Sequence, residues 1–294
     1  MENSYHGETL GALSVTDVAL FRDAYGVLIR SQATVVSPDS RNAEAGESSE
    51  AFALRCAESL EAHLQRHHAQ LAAFIIEPLV QGAAGMAMYH PVYLQRARQL
   101  CDQYGVHLIA DEIAVGMGRT GTMFACEQGG ISPDFLLISK GITGGYLPLS
   151  IVMTTDPIYQ AFYADQTARG FLHSHSYTGN PLACRAALAT LDIFAQDEVL
   201  AANRSKARYL NRIAESLRNH PKVRNFRNTG MIWAFEVESP HADFAQSCFS
   251  LALAKELLLR PMGKTVYFMP PYVISEAEMD HLVSRTMEVI ECLI

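Results

Sequence analysis

Leu108-Ile109-Ala110-Asp111-Glu112-Ile113 and Phe135-Leu136-Leu137-Ile138-Ser139-Lys140 are two apolar runs, each of which delivers one charged side chain where it ends. Their length and Ile/Leu content suit strands buried on both faces, and a helical pattern from Pro91 to Tyr104 precedes the first. That succession predicts a parallel α/β sheet. Open sheets of this kind bind ligands beyond the carboxyl ends of their strands, so Asp111 and Lys140 are expected over one ligand.

A lysine in that position, beside the flexible Gly141-Ile142-Thr143-Gly144-Gly145, is placed to form a Schiff base with an aldehyde. An aspartate nearby can keep a pyridine nitrogen protonated, the protein's usual service to pyridoxal phosphate as an electron sink. Amine transfer is the chemistry this suggests. Two other readings compete. Strand-end charges that simply face water leave the same pattern. An apolar strand ending in Asp-Glu also resembles the Mg-binding element of P-loop ATPases, and Gly263-Lys264-Thr265 resembles the tail of the phosphate loop. That loop needs a glycine where Leu258 stands, and the triplet lies far downstream.

A chain of 294 residues, 49% hydrophobic, can bury a large core and is expected to form a soluble globular protein of one large and one smaller domain. The net charge of -8 and the absence of a dense basic cluster argue against nucleic acid and for small-molecule partners. Six scattered cysteines without Cys-x-x-Cys spacing fit free thiols in a reducing cytoplasm. The first residues have neither a basic nor an apolar signal region, and no apolar run reaches the roughly 18 residues of a membrane span.

No internal repeat is visible. Ser37 to Ser49 reads as a surface loop before an amphipathic helix from about Glu50 to His67. Ala73 to Glu77 reads as a strand, Gln81 to Gly85 as a loop, Leu149 to Thr154 as a strand, and Pro181 to about Ala195 as a helix opened by proline. From Gln196 the texture changes: a long charged helix (Glu198 to Arg218), a strand pair (Val223 to Val237, broken at Thr229-Gly230), a helix (Asp243 to Leu259), a strand, and a final helix (Glu276 to Ile294). Residues 1–195 are therefore expected to form the large domain and 196–294 a smaller α+β domain. His67-His68 and His173-x-His175 lack a third ligand at metal spacing, so no metal is expected. Neither a Gly-x-Ser-x-Gly elbow nor a Gly-x-Gly-x-x-Gly fingerprint occurs.

In order along the chain, Tyr5-His6-Gly7, Ile76-Glu77-Pro78, Ala110-Asp111-Glu112-Ile113, Gly118-Arg119-Thr120-Gly121, Ser139-Lys140-Gly141 and Thr178-Gly179-Asn180-Pro181 resemble the signature segments of class III pyridoxal-phosphate aminotransferases, of fold type I. Two further segments, Glu77 to Met86 with Tyr89-His90-Pro91 and Arg260 to Lys264 with Tyr267 to Tyr272, are similar to one branch. That branch passes the amino group of S-adenosylmethionine to 8-amino-7-oxononanoate in biotin synthesis. The ornithine and 4-aminobutyrate branches usually carry a glutamate where this chain reads Gly82-Ala83-Ala84.

The resemblance implies a three-layer large domain with a mostly parallel sheet, and a homodimer with shared active sites. Lys140 would anchor pyridoxal 5'-phosphate and move the proton, and Asp111 would pair with the pyridinium nitrogen. Ile113 and Tyr5 would take the two ring faces, while His175 and Ser176 would reach the phosphate of the partner's cofactor. Arg260 would receive a substrate carboxylate, with Arg119, Ser174 and Tyr267 as further substrate-side candidates. Family members also carry a segment before Tyr-His-Gly, including a glycine-serine loop that cups the phosphate. Nothing here corresponds to it, so an N-terminally incomplete large domain with uncovered apolar surface is expected. The alternatives are a class III enzyme with another donor, such as lysine, and a noncatalytic truncated fragment.

Overall fold

Alternation of strand and helix between Ala73 and Thr154 builds the sheet on which the site rests. The computed structural model describes residues 1–294. Two short helices, α1 (Leu10–Val15) and α2 (Ala19–Arg22), precede α3 (Ser49–His67). Then come β1 (Ala73–Ile76), the hairpin β2 (Val80–Gln81) and β3 (Ala87–Met88), α4 (Val92–Tyr104), β4 (His107–Asp111), β5 (Phe135–Ile138), β6 (Ile151–Thr154), α5 (Asp156–Phe162) and α6 (Pro181–Gln196). The remainder forms α7 (Val199–Ile213), α8 (Glu215–Arg218), β7 (Val223–Thr229), β8 (Ile232–Val237), α9 (Phe244–Ala254), β9 (Thr265–Phe268) and α10 (Glu276–Glu291).

The first sheet has the order β1-β4-β5-β6, with β1, β4 and β5 parallel and β6 antiparallel at one edge. Ser48 starts α3 by accepting a hydrogen bond from the Ala51 N–H, and Gly105 in the left-handed region ends α4, so both helices have defined limits. Phe52, Leu60 and Leu64 of α3 and Tyr93, Leu94 and Leu100 of α4 share one core with Ile76 and Leu108. Each such side chain contributes roughly 1.5–3 kcal/mol by leaving water.

The two strands do not have both faces buried. Ile75, Ile109 and Phe135 are cross-strand neighbours on the opposite face and stay only half-buried, and on β6 Val152 and Met153 are exposed. Leu182, Leu188 and Ile193 of α6 are exposed as well. The uncovered apolar surface expected from the sequence is therefore present.

The second sheet, β7-β8-β9, is antiparallel, and its middle strand divides two cores. Alternate residues of a strand point to opposite faces. Trp233, Phe235 and Val237 accordingly join Leu210, Phe244, Met279 and Phe268, whereas Ile232 and Ala234 join the core of α3 and α4. The turn before β8 is pressed against the large part of the molecule. A side chain at Gly230, whose φ is +57°, would meet the Thr120 carbonyl carbon at 2.3 Å, so only glycine permits the contact.

Three elements differ from the sequence reading. The helix expected over Glu198 to Arg218 is broken at Ala214, where ψ is 7°, and Leu210, Ala214 and Leu217 are all fully buried around the bend. The helix expected to reach Leu259 ends at Ala254. Glu256 takes φ +61° and turns the chain back, so that Leu257 and Leu259 are buried. The loop at Gln81 to Gly85 is held within the small hairpin β2–β3.

An ion-pair cluster fixes that hairpin to the second sheet. Glu236 of β8 binds Arg41 at 3.0 Å and Arg227 at 2.8 Å, and the two arginines also donate to the carbonyls of Ala84, Gly85 and Met86. Burial alone would raise the pKa of Glu236, but the arginines outweigh it and hold the group below the usual glutamate value. A depressed folded-state pKa gives stability that is present above the unfolded value of about 4.3 and lost as pH falls through the folded one. Glu236→Gln is expected to lower the melting temperature at pH 7 by about 2–6 °C, for a loss of roughly 1–2 kcal/mol. That deficit should shrink as thermal melts are recorded from pH 5 down to pH 3. A constant gap across the range would show that the carboxylate charge is immaterial.

Candidate active site

Register alone brings the two predicted residues to the carboxyl ends of the two middle strands. Asp111, the last residue of β4, pairs with Leu137 of the parallel strand β5, and Lys140 follows two residues beyond the end of β5. Asp111 is buried and Lys140 is exposed. The ammonium group of Lys140 has no carboxylate partner and makes no hydrogen bond, so it stands free at the strand end. Its backbone has φ +50°, a left-handed conformation that costs a non-glycine residue roughly 1–2 kcal/mol. At the next position a Cβ on Gly141 would lie 2.9 Å from the Cβ of Met117, so glycine lets the loops after β4 and β5 close on each other.

Asp111 is held from two sides. Its Oδ1 accepts from the Ile113 N–H at 3.1 Å, and its Oδ2 accepts from His6 Nδ1 at 2.8 Å. The His6 side chain is 2% exposed, and its Nε2 is buried without a partner. A second buried carboxylate, Glu77, accepts from the backbone N–H groups of Tyr5 at 3.0 Å and Gly82 at 3.0 Å. Burial pushes the pKa of Glu77 up, with His6 and the two N–H groups opposing. Glu112 turns the other way and accepts from the N–H groups of Ala125 and Cys126, and burial raises its pKa as well.

The remaining candidates are distributed unevenly. Tyr5 packs its ring 4.6 Å from that of Phe21 and donates its hydroxyl to Glu8, and burial raises its pKa. Ser174, His175 and Ser176 lie in an exposed loop, where Phe171 stacks on His173 and His173 on His175 while Tyr177 tilts against His175; no contact joins them to Asp111 or Lys140. Arg260 is exposed and forms no ion pair. Tyr267 is half-buried on β9 opposite Ala234, against the large core. Arg119 is engaged structurally. Its Nη1 donates to the Pro270 carbonyl at 2.7 Å and its guanidinium lies 4.5 Å over the Tyr272 ring, and burial lowers its pKa.

His6 and Glu77 were within quoted motifs but not singled out, because their partners are set by tertiary contacts. No group of three or more His, Cys, Asp and Glu side chains is arranged to hold a metal ion. A buried carboxylate beside an unpaired lysine, at the carboxyl ends of adjacent parallel strands, defines a site suited to amine chemistry on a bound carbonyl compound.

The profile of the family "Aminotransferase class-III" matches residues 1–290, and the chain belongs to that family. It is 44% identical to the adenosylmethionine-8-amino-7-oxononanoate aminotransferase of Helicobacter pylori, over 99% of this chain and 66% of the relative. To the enzyme of that name from Nitratidesulfovibrio vulgaris it is 39% identical, over 96% of this chain and 54% of the relative. The chain thus spans two thirds or less of the length of these curated relatives. Among solved structures, the crystal structure of adenosylmethionine-8-amino-7-oxononanoate aminotransferase from Methanocaldococcus jannaschii superposes with a TM-score of 0.89 at 30% identity, covering 100% of this chain and 67% of that one. The omega transaminase from Pseudomonas jessenii in complex with PMP gives 0.90 at 28% identity, covering 99% and 67%. The fold is that of the type I pyridoxal-phosphate-dependent transaminases, with a mixed, mostly parallel sheet.

Replacing His6 by Ala would leave Asp111 Oδ2 buried without its donor, at a cost of roughly 1–3 kcal/mol. A fall of about 3–8 °C in melting temperature is expected by calorimetry. An unchanged melting temperature would mean that the 2.8 Å contact contributes nothing to the fold.

Proposed function

We propose that this chain supplies the lysine and the aspartate of an aminotransferase that moves the amino group of S-adenosylmethionine to 8-amino-7-oxononanoate, giving 7,8-diaminononanoate for biotin synthesis. The observation that carries the reading is the placement of Lys140, whose amine is free, and of the buried Asp111 just beyond and at the carboxyl ends of the adjacent parallel strands β5 and β4. Two relatives of that name at 44% and 39% identity support the substrate pair. The cofactor that fits is pyridoxal 5'-phosphate. The amine has no competing carboxylate, and Asp111 keeps acceptor capacity beyond the two hydrogen bonds it already accepts. When bound, this group supplies an electron sink for the carbon that bears the transferred nitrogen.

The protein's own share follows from its residues. Lys140 Nζ would hold the cofactor, and would take and return the proton at the carbon that bears the transferred nitrogen. Asp111 would hold the ring nitrogen of the cofactor, and His6 and the Ile113 N–H orient that carboxylate. Ile113 and Tyr5 would take the two faces of the cofactor ring. Arg260, free of any acidic partner, would receive a substrate carboxylate, with Tyr267 and Ser174 as further substrate-side candidates. His175 and Ser176 serve the phosphate held by a second copy, so the working form is a homodimer. We take 1–195 and 196–294 as its two domains. Six free thiols suit a reducing compartment such as the cytoplasm, and no helix is long and apolar enough to cross a membrane.

Incubation with pyridoxal phosphate is expected to give a visible absorbance band that is absent in Lys140→Ala. A folded protein with no band would favour a noncatalytic chain. S-adenosylmethionine should deplete the band; depletion by lysine alone would overturn the choice of donor. Activity of Lys140→Ala should fall by about a hundredfold or more.

A further inference from the structure

Tyr272 reaches from the second sheet to the loop that follows β4. It stands shortly past the end of β9, after Pro270 and Pro271, whose fixed φ angles leave the segment few other paths. Its hydroxyl donates to the Met117 carbonyl at 2.8 Å, and that carbonyl accepts no other hydrogen bond. Three further contacts keep Tyr272 in place. The Arg119 guanidinium covers its ring, Arg119 also donates to the Pro270 carbonyl, and Lys206 of α7 donates to the Tyr272 carbonyl.

Met117 is a residue that needs holding. Its φ is +53°, a left-handed conformation that a side chain disfavours, so the loop depends on contacts that oppose its relaxation. Met117 is buried and packs with Ile138 and Ile142, which flank Lys140 on its two sides in the chain. It also lies against Gly141, where the close approach leaves no room for a Cβ. The turn that carries the free amine therefore rests on a methionine whose own backbone is held from the second sheet.

We propose that Tyr272 is a positioning residue for Lys140: by holding the Met117 carbonyl it keeps Met117 beneath the turn of residues 139–142, and so sets where the Lys140 amine stands. Tyr272 makes no hydrogen bond to Lys140 or Asp111 and acts through Met117. The inference rests on the reading of Lys140 as the lysine that holds the cofactor, and it extends that site to the segment after β9.

Tyr272→Phe removes the hydroxyl and keeps the ring under Arg119. In amide hydrogen exchange without cofactor, the Gly118, Ile142 and Gly144 N–H groups, each hydrogen-bonded within its loop, are expected to exchange about tenfold faster in that variant. Amides of β8 and α10 should keep their rates, since Met117 belongs to neither of their cores. Titration with pyridoxal phosphate, followed by the visible band, should give a dissociation constant about tenfold higher. Met117→Ala keeps the carbonyl and removes the side chain, so it should quicken Ile142 and Gly144 but not Gly118. Adding Tyr272→Phe to Met117→Ala should bring no further change at Ile142 and Gly144, because both substitutions act through one contact. The proposal is overturned if Ile142 and Gly144 keep the wild-type rate in Tyr272→Phe, if every amide quickens alike, or if the two substitutions add there. A wild-type protein that forms no band would count against the cofactor reading, while the exchange rates alone decide the link from Tyr272 to the lysine turn.

Discussion

The hydrogen bond between His6 and Asp111 is the contact on which the site depends. A carboxylate taken out of water needs donors, and Asp111 obtains one from its own loop and the other from a residue 105 positions away. Glu77, one strand over, binds the backbone of the adjacent Tyr5. Buried acids beyond neighbouring parallel strands therefore tie down the same short segment near the start of the chain. The order of cause runs from burial to position. Because neither acid can stay unpaired, residues 5 and 6 are drawn against the strand ends, and the edge that faces Lys140 acquires a fixed shape.

Glu236 performs a comparable service at the junction between the sheets. It joins Arg41 and Arg227, whose remaining donors hold the carbonyls of the hairpin loop that begins with Gly82. Gly82 in turn donates to Glu77. A continuous set of polar contacts thus leads from the second sheet to the neighbourhood of Asp111. The apolar counterpart is β8, which presents alternate residues to two cores and leaves little freedom between them.

Much of this was legible in the sequence. Strands β4 and β5 declare themselves as apolar runs and helices α3, α4 and α10 as periodic segments, and Asp111 and Lys140 are conspicuous as charges that end apolar runs. The hairpin β2–β3 is too short to have a period. The end of α9 rests on a left-handed glutamate, which propensity does not anticipate. His6 was hidden because nothing local marks a histidine whose partner lies on a distant strand. Arg119 was one of the lesser substrate-side candidates, and its carbonyl partner is 151 residues away, a distance over which spacing rules have no reach.

The outer edge of β6 has consequences for assembly. It ends the sheet with unmatched backbone donors and acceptors, and the exposed side chains of Val152 and Met153 do nothing to repel a visitor. Main-chain groups are alike in every polypeptide, so such an edge cannot tell a rightful neighbour from an intruder. Fidelity of pairing there must come from the shape of flanking side chains and from the timing of synthesis. Crowding many copies together before the edge is capped invites polymerisation.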